Sequence, residues 1–229
     1  MIISHKHRFI FIKLRKTAGT SLEIALSGIC GGDDIITPIS LLDEKVRLEM
    51  GHKGAQNYDI PYKQYSFNDW ANRIIKGKKR SFYNHMPASE IMGTVSSDIW
   101  KKYFKFCFER NPWDKTISHY YHLNRNQRFN SIMEYLKHHD SDVISDVDMY
   151  TEGDRLLVDK VFKFEEMEAA LKEIPGMIGL ESPLLLPKYK AKSQFRTSKK
   201  HYRELLSDEE AGIIAKKHAR EIERMGYTY

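Results

Sequence analysis

Cysteine is nearly absent from this sequence. Cys30 and Cys107 are the only two in 229 residues, and they lie far apart without metal-ligand spacing. That excludes a disulfide framework and a cysteine zinc site, and suits a reducing compartment. Long hydrophobic runs are also missing: no stretch approaches the roughly 20 apolar residues of a membrane-spanning helix. The opening M-I-I-S-H-K-H-R lacks the basic, apolar, small-residue order of a secretory signal. Both absences read as a cytoplasmic protein without a membrane span. Internal repeats and low-complexity tracts are absent, which sets aside solenoids and disordered arrays. Acidic excess is lacking too, since 37 Lys and Arg face 31 Asp and Glu for a formal charge of +6. The attraction is therefore for anions: nucleic acid, an anionic cofactor or an anionic surface. No helix-turn-helix, zinc or RNP pattern supports a nucleic-acid partner.

With 41% hydrophobic and 30% charged residues, the chain has ordinary globular composition, and residues 1–229 suit one α/β domain. Its organising stretch is K-L-R-K-T-A-G-T-S-L, residues 13–22. Before it, residues 8–12 read as a buried strand; after it, Leu22, Ala25, Leu26 and Ile29 have helical spacing. A helix that starts at such a turn presents unpartnered N–H groups and the positive end of its dipole, so an oxyanion fits there. Gly19 lets the backbone approach the anion, Thr20 and Ser21 supply hydroxyls, and Lys16 supplies charge. The order is not Walker A, because the lysine precedes the single glycine. A plain strand-to-helix turn with a capping Ser or Thr is the alternative reading.

A second strand-turn-helix is predicted over residues 103–121. Residues 103–108 form the strand and Glu109 and Arg110 the turn. Asn111 is the N-cap, Pro112 the first helical position and Asp114 an acid suited to the third. Arg110 and Ser118 can converge on one phosphate. Between the two units, Tyr58, Tyr62, Tyr65, Phe67 and Trp70 form either a stacking surface for a ring or, more commonly, a satellite core under a long loop. His85 falls after a short apolar piece, residues 81–83, and before a helix that Pro87 begins and Gly93 ends. That is a ligand-binding edge in open α/β sheets, although a lone histidine is more often a surface residue.

Together, R-K-T-A-G-T-S-L (15–22) and R-N-P-W-D-K-x-x-S-x-Y-Y (110–121) resemble the sulfotransferases that use 3′-phosphoadenosine-5′-phosphosulfate, PAPS. The first is similar to their 5′-phosphosulfate loop and the second to their 3′-phosphate motif. The segment H-M-P-A at 85–88 resembles the carbohydrate-type branch, sulfotransferase family 2. The resemblance implies an α/β fold with a P-loop-like domain, a central parallel sheet and flanking helices. It implies PAPS as cosubstrate, PAP as product and no metal. Arg15, Lys16, Thr17, Ala18, Gly19, Thr20, Ser21, Arg110 and Ser118 would hold the nucleotide. Lys16 would stabilise the leaving oxygen, and His85 would take the acceptor's proton, with Glu109, His52 or His119 as alternatives. The implied acceptor is a glycan hydroxyl; a small alcohol, lipid or peptide would also suit the wider family.

Three positions depart from the pattern: Arg15 replaces a common proline, Glu109 an apolar residue and Lys115 an arginine. Glu109 either weakens phosphate binding or orients Arg110. Residues 31–79, where the resemblance is poorest, are the candidate acceptor-binding region. The basic stretch 188–203, with Arg196 and Lys199, is either a lid over the nucleotide or a solvated charge run. Residues 140–154 read as an acidic loop and 156–164 as a strand. Residues 207–225 read as one helix whose core-facing His218 is structural. Rival readings are an ATP-dependent P-loop kinase and a noncatalytic nucleotide-binding protein of the same fold.

Overall fold

In a computed structural model, residues 1–187 and 200–229 are described. Alternation of large apolar residues builds a five-stranded sheet in the order β3-β1-β2-β4-β7. Its strands are β1 (Ile2–Ser4), β2 (Phe9–Phe11), β3 (Ile35–Ile36), β4 (Phe104–Glu109) and β7 (Lys160–Lys163), while β5 (Thr151–Glu152) and β6 (Arg155–Leu156) form a separate hairpin. β2, β4 and β7 are parallel, and β1 pairs antiparallel with both β2 and β3. The expected parallel sheet thus carries an antiparallel edge. The chain reverses between Ser4 and Phe9 with Arg8 at φ 52, too short a connection for a parallel crossover.

The helices are α1 (Gly19–Ser27), α2 (Leu41–Glu49), α3 (Phe67–Lys76), α4 (Ala88–Thr94), α5 (Ser97–Lys102), α6 (Pro112–Leu123), α7 (Ile132–Lys137) and α8 (Val147–Tyr150), followed by α9 (Met167–Ile178), α10 (Tyr202–Leu205), α11 (Asp208–Lys217) and α12 (Ala219–Met225). The period of two puts Phe9, Phe11, Phe106, Phe108 and Phe162 on one face, against Leu22 and Leu26 of α1 and Ile174 and Ile178 of α9. Ile10, Ile12 and Cys107 face the other way, onto Ala88 and Ile91 of α4 and Val147 and Tyr150 of α8. Trp113 and Ile117 of α6 pack in a third cluster with Tyr135, Tyr202, Ile214 and Tyr227.

Several local expectations change. Residues 81–83 form no strand, only a bridge from Ser81 to Asp59. Pro87 is the N-cap of α4, and Gly93 lies inside that helix. The last helix breaks in two at His218, which is buried with Nδ1 3.3 Å from Glu221. The strand expected at 156–164 is confined to β6 and β7. The loop expected at 140–154 contains α8 and most of the β5-β6 hairpin.

Candidate functional site

Because β2 and β4 are neighbours and parallel, the turns that follow them must emerge on the same edge of the sheet. This brings residues 13–21 together with residues 109–118. In the first turn Lys16 (φ 59) and Ala18 (φ 55) both adopt the left-handed conformation, which costs a non-glycine residue about 1–2 kcal/mol. Alternating backbone of this kind turns successive N–H groups into one concavity, a form suited to anions. The Thr17 hydroxyl donates to the Leu14 carbonyl at 3.2 Å. α1 then starts at Gly19 with no side-chain cap and no acid in its first turn.

Gly19 has a reason besides the one expected. A Cβ at that position would lie 2.6 Å from Cγ of Lys13, so the glycine makes room for the Lys13 stem beneath the helix start. Lys13 is buried, and its ammonium group pairs with Glu23 on α1. Burial opposes the charge on Glu23, yet the cations beside it hold its carboxyl down to about 2.

Arg110 reaches back from the second turn. Its Nη1 donates to the Lys16 carbonyl at 2.8 Å, while Nε and Nη2 donate to Asp114 at 3.0 and 2.6 Å. The guanidinium also lies over the Phe164 ring, 4.4 Å from its centroid. Asn111 caps α6 by accepting from the Trp113 and Asp114 amides. Ser118 follows Asp114 by four residues and so shares its face of the helix.

Beneath the turns lies a charge network that sequence patterning did not reveal. Lys115 donates to Glu109 at 2.7 Å and lies 2.9 Å from Asp146; all three side chains are at most 1% exposed. Asp146 also accepts from the Arg15 amide at 2.7 Å and the Arg15 guanidinium at 2.5 Å. One carboxylate thereby ties the phosphate-type loop to α6. Burial would discharge Lys115, but Asp146 and Glu109 outweigh it and hold the ammonium form. Burial pushes the Glu109 carboxyl up, with Lys115 pulling the other way. Glu109 is therefore the counter-ion of Lys115, and its Oε1 also accepts from the Arg110 amide at 2.9 Å. The departures at 15, 109 and 115 form one connected set.

His85 (φ 61) lies against the first turn, its Nδ1 2.9 Å from the Lys13 carbonyl. A carbonyl only accepts, so Nδ1 carries the proton and Nε2 is the basic nitrogen. Burial first, then the Lys13 charge, pushes this imidazole down to about 4. His119 behaves similarly: burial, then Lys16, holds it to about 4, and its Nδ1 shares a 2.7 Å hydrogen bond with the Tyr135 hydroxyl. His52 instead donates to the Ile24 carbonyl at 2.7 Å and packs against Gly28, the C-cap of α1.

The structure therefore gathers Arg15, Lys16, Thr17, Ala18, Gly19, Thr20, Ser21, His85, Arg110 and Ser118 around two turns on one sheet edge and the α6 face that continues from the second. Arg196 and Lys199 lie outside the described residues. Asp114, Asp146 and Lys13 were missed as site residues. Asp114 sits four residues from Arg110, a signal the sequence did carry; Asp146 is more than a hundred residues from Arg15 and left none. Among the described residues no group of three or more His, Cys, Asp or Glu is arranged to hold a metal ion. No helix among them is long and apolar enough to cross a membrane.

An uncharacterized protein of Archaeoglobus fulgidus is 35% identical over 107 residues, covering 43% of this chain and 87% of that protein. No solved structure matches. A model of the sulfotransferase family, sulfotransferase family 2, matches residues 1–227, nearly the whole chain, and so the two turns described above belong to a member of the sulfotransferase family.

Proposed function

We propose that this chain, acting as a single unit over residues 1–229, transfers a sulfuryl group from PAPS to an acceptor hydroxyl, with a carbohydrate or glycoconjugate as the acceptor. The observation that supports this reading best is the 2.8 Å hydrogen bond from Arg110 to the Lys16 carbonyl, which joins two anion-type turns at one edge. The donor set fits a doubly phosphorylated nucleotide: an uncapped helix start, two hydroxyls, a lysine and a guanidinium. Of five guanidinium N–H groups, three are directed at Asp114 and Lys16, which leaves one on each terminal nitrogen for a phosphate.

PAPS supplies an activated sulfuryl group whose leaving group is a 5′-phosphate. Amides of residues 17–21 and the Thr20 and Ser21 hydroxyls hold that phosphate; Arg110 and Ser118 hold the 3′-phosphate. Lys16 neutralises charge on the oxygen released as the S–O bond breaks. His85 accepts the acceptor's proton at Nε2 as the new O–S bond forms. A nearby anion offsets the positive field that helps depress this imidazole, so donor binding raises its basicity.

Thermal stabilisation by 3′,5′-adenosine bisphosphate against ATP with Mg²⁺ tests the donor. A ligand at a hundredfold excess over Kd adds about 2.7 kcal/mol; a larger effect from ATP with Mg²⁺ would favour a kinase. Turnover with PAPS and a glycan acceptor should fall about 10²–10⁴-fold in His85→Ala. Near-normal turnover in that variant would move the base to His119, and retained turnover in Lys16→Ala would remove the proposed chemistry.

A further inference from the structure

Helix α3 inverts the usual arrangement of an amphipathic helix. At 3.6 residues per turn, Phe67, Trp70, Ala71, Ile74 and Ile75 form one continuous arc of about 140°. That arc faces outward: Phe67 is 87% exposed, Ile74 79% and Ile75 78%, and no residue of the helix is buried. The opposite edge holds it to the body. Asp69 receives Arg80 at 3.2 Å, Arg80 also donates to Thr94 at 2.9 Å, and the Tyr65 hydroxyl accepts from the Arg80 amide at 2.7 Å. Tyr65 packs against the core and the Trp70 ring stacks on Tyr62 at 5.5 Å. A complete Ser66–Asp69 capping box and a left-handed Gly77 close both ends, so local chemistry sets this helix while its apolar arc stays uncovered by the described residues.

Charge indicates what covers it. Residues 59–80 contain six Lys and Arg against two Asp, with Lys63, Lys76 and Lys78 exposed. A twofold contact through this face would bring together two copies of a segment with four more cations than anions, which is unfavourable. Anionic headgroups above an acyl layer match both parts, because apolar and aromatic groups insert while lysines meet phosphates. Exposed Leu41, Leu42 and Leu48 on α2 lack this match, since Asp43, Glu44 and Glu49 offset its two cations.

We propose that α3 lies in the interface of an anionic bilayer, with Phe67, Ile74 and Ile75 inserted and the exposed lysines of the segment, Lys63, Lys76 and Lys78, drawing it electrostatically to the lipid phosphates. The helix rests on the membrane and does not cross it. The protein is thereby held at a lipid surface, independently of which group it transfers.

Flotation of the full chain, without donor or acceptor, with vesicles of phosphatidylcholine alone and with about one-third phosphatidylglycerol tests this. Binding to the anionic vesicles only, weakened by salt, is expected. Ile74→Ser/Ile75→Ser should reduce it at least about tenfold, and Lys76→Gln/Lys78→Gln about fivefold per lysine. Both variants should keep the parent melting temperature, since no buried residue changes. Failure of the chain to float with anionic vesicles would overturn the proposal, as would flotation that neither variant alters. So would a dimer that Ile74→Ser/Ile75→Ser converts to monomer without any lipid binding.

Discussion

Replacing Lys115 by methionine removes the cation between two buried carboxylates. At an effective dielectric constant of ~20, an ion pair at the observed 2.7 or 2.9 Å is worth about 6 kcal/mol gross. Desolvation, at several kcal/mol per ion, offsets most of that. Loss of one partner should therefore destabilise by about 3–5 kcal/mol at neutral pH, because the remaining charges stay buried. Asp146 keeps Arg15, so the cost falls mainly on Glu109, whose Oε2 already has no hydrogen-bond partner among the described residues. Burial raises that carboxyl even with Lys115 present, and removal of the lysine raises it further. A carboxyl with a raised folded pKa weakens the fold as pH rises from the unfolded value through the folded one. The deficit of Lys115→Met should thus be small near pH 5 and largest at pH 8 and above. Urea denaturation across that range measures it, and Glu109→Gln/Lys115→Met should recover most of the loss. A deficit below about 1 kcal/mol, or one independent of pH, would refute the buried-network argument.

Gly19→Ala forces a Cβ to 2.6 Å from the Lys13 stem; overpacking of this kind costs about 1–3 kcal/mol, and an unchanged melting curve would show that Lys13 moves aside freely. His85 and His119 are held to about 4, below the ordinary ~6.5, so the unfolded chain takes up protons first. Stability present above pH 6.5 should decline as pH falls toward 4, and His119→Gln should flatten the fall; a urea midpoint constant from pH 7 to 5 would contradict this. Arg110→Lys keeps the charge but cannot span Asp114 and the Lys16 carbonyl together, so affinity for 3′,5′-adenosine bisphosphate should fall at least about tenfold by calorimetry. Equal affinity would place the 3′-phosphate elsewhere.

Local chemistry by itself determined the strand-turn-helix units, because their signals lie within a few residues of each other. A Phe-Ile-Phe run gave β2 and Phe at every second position gave β4, Asn111 with Pro112 started α6, and the two turn motifs carried the family resemblance. Only the tertiary structure decided what those turns rest on. Asp146 reaches Arg15 and Lys115 from a segment that reads as an acidic loop, and burial of a charge depends on neighbours distant in sequence. Gly19 serves the Lys13 stem, because a glycine's sequence context does not say which atoms approach its Cα. The outward arc of α3 was equally hidden: periodicity fixes which residues share a face, and only packing decides whether that face meets the core or the outside.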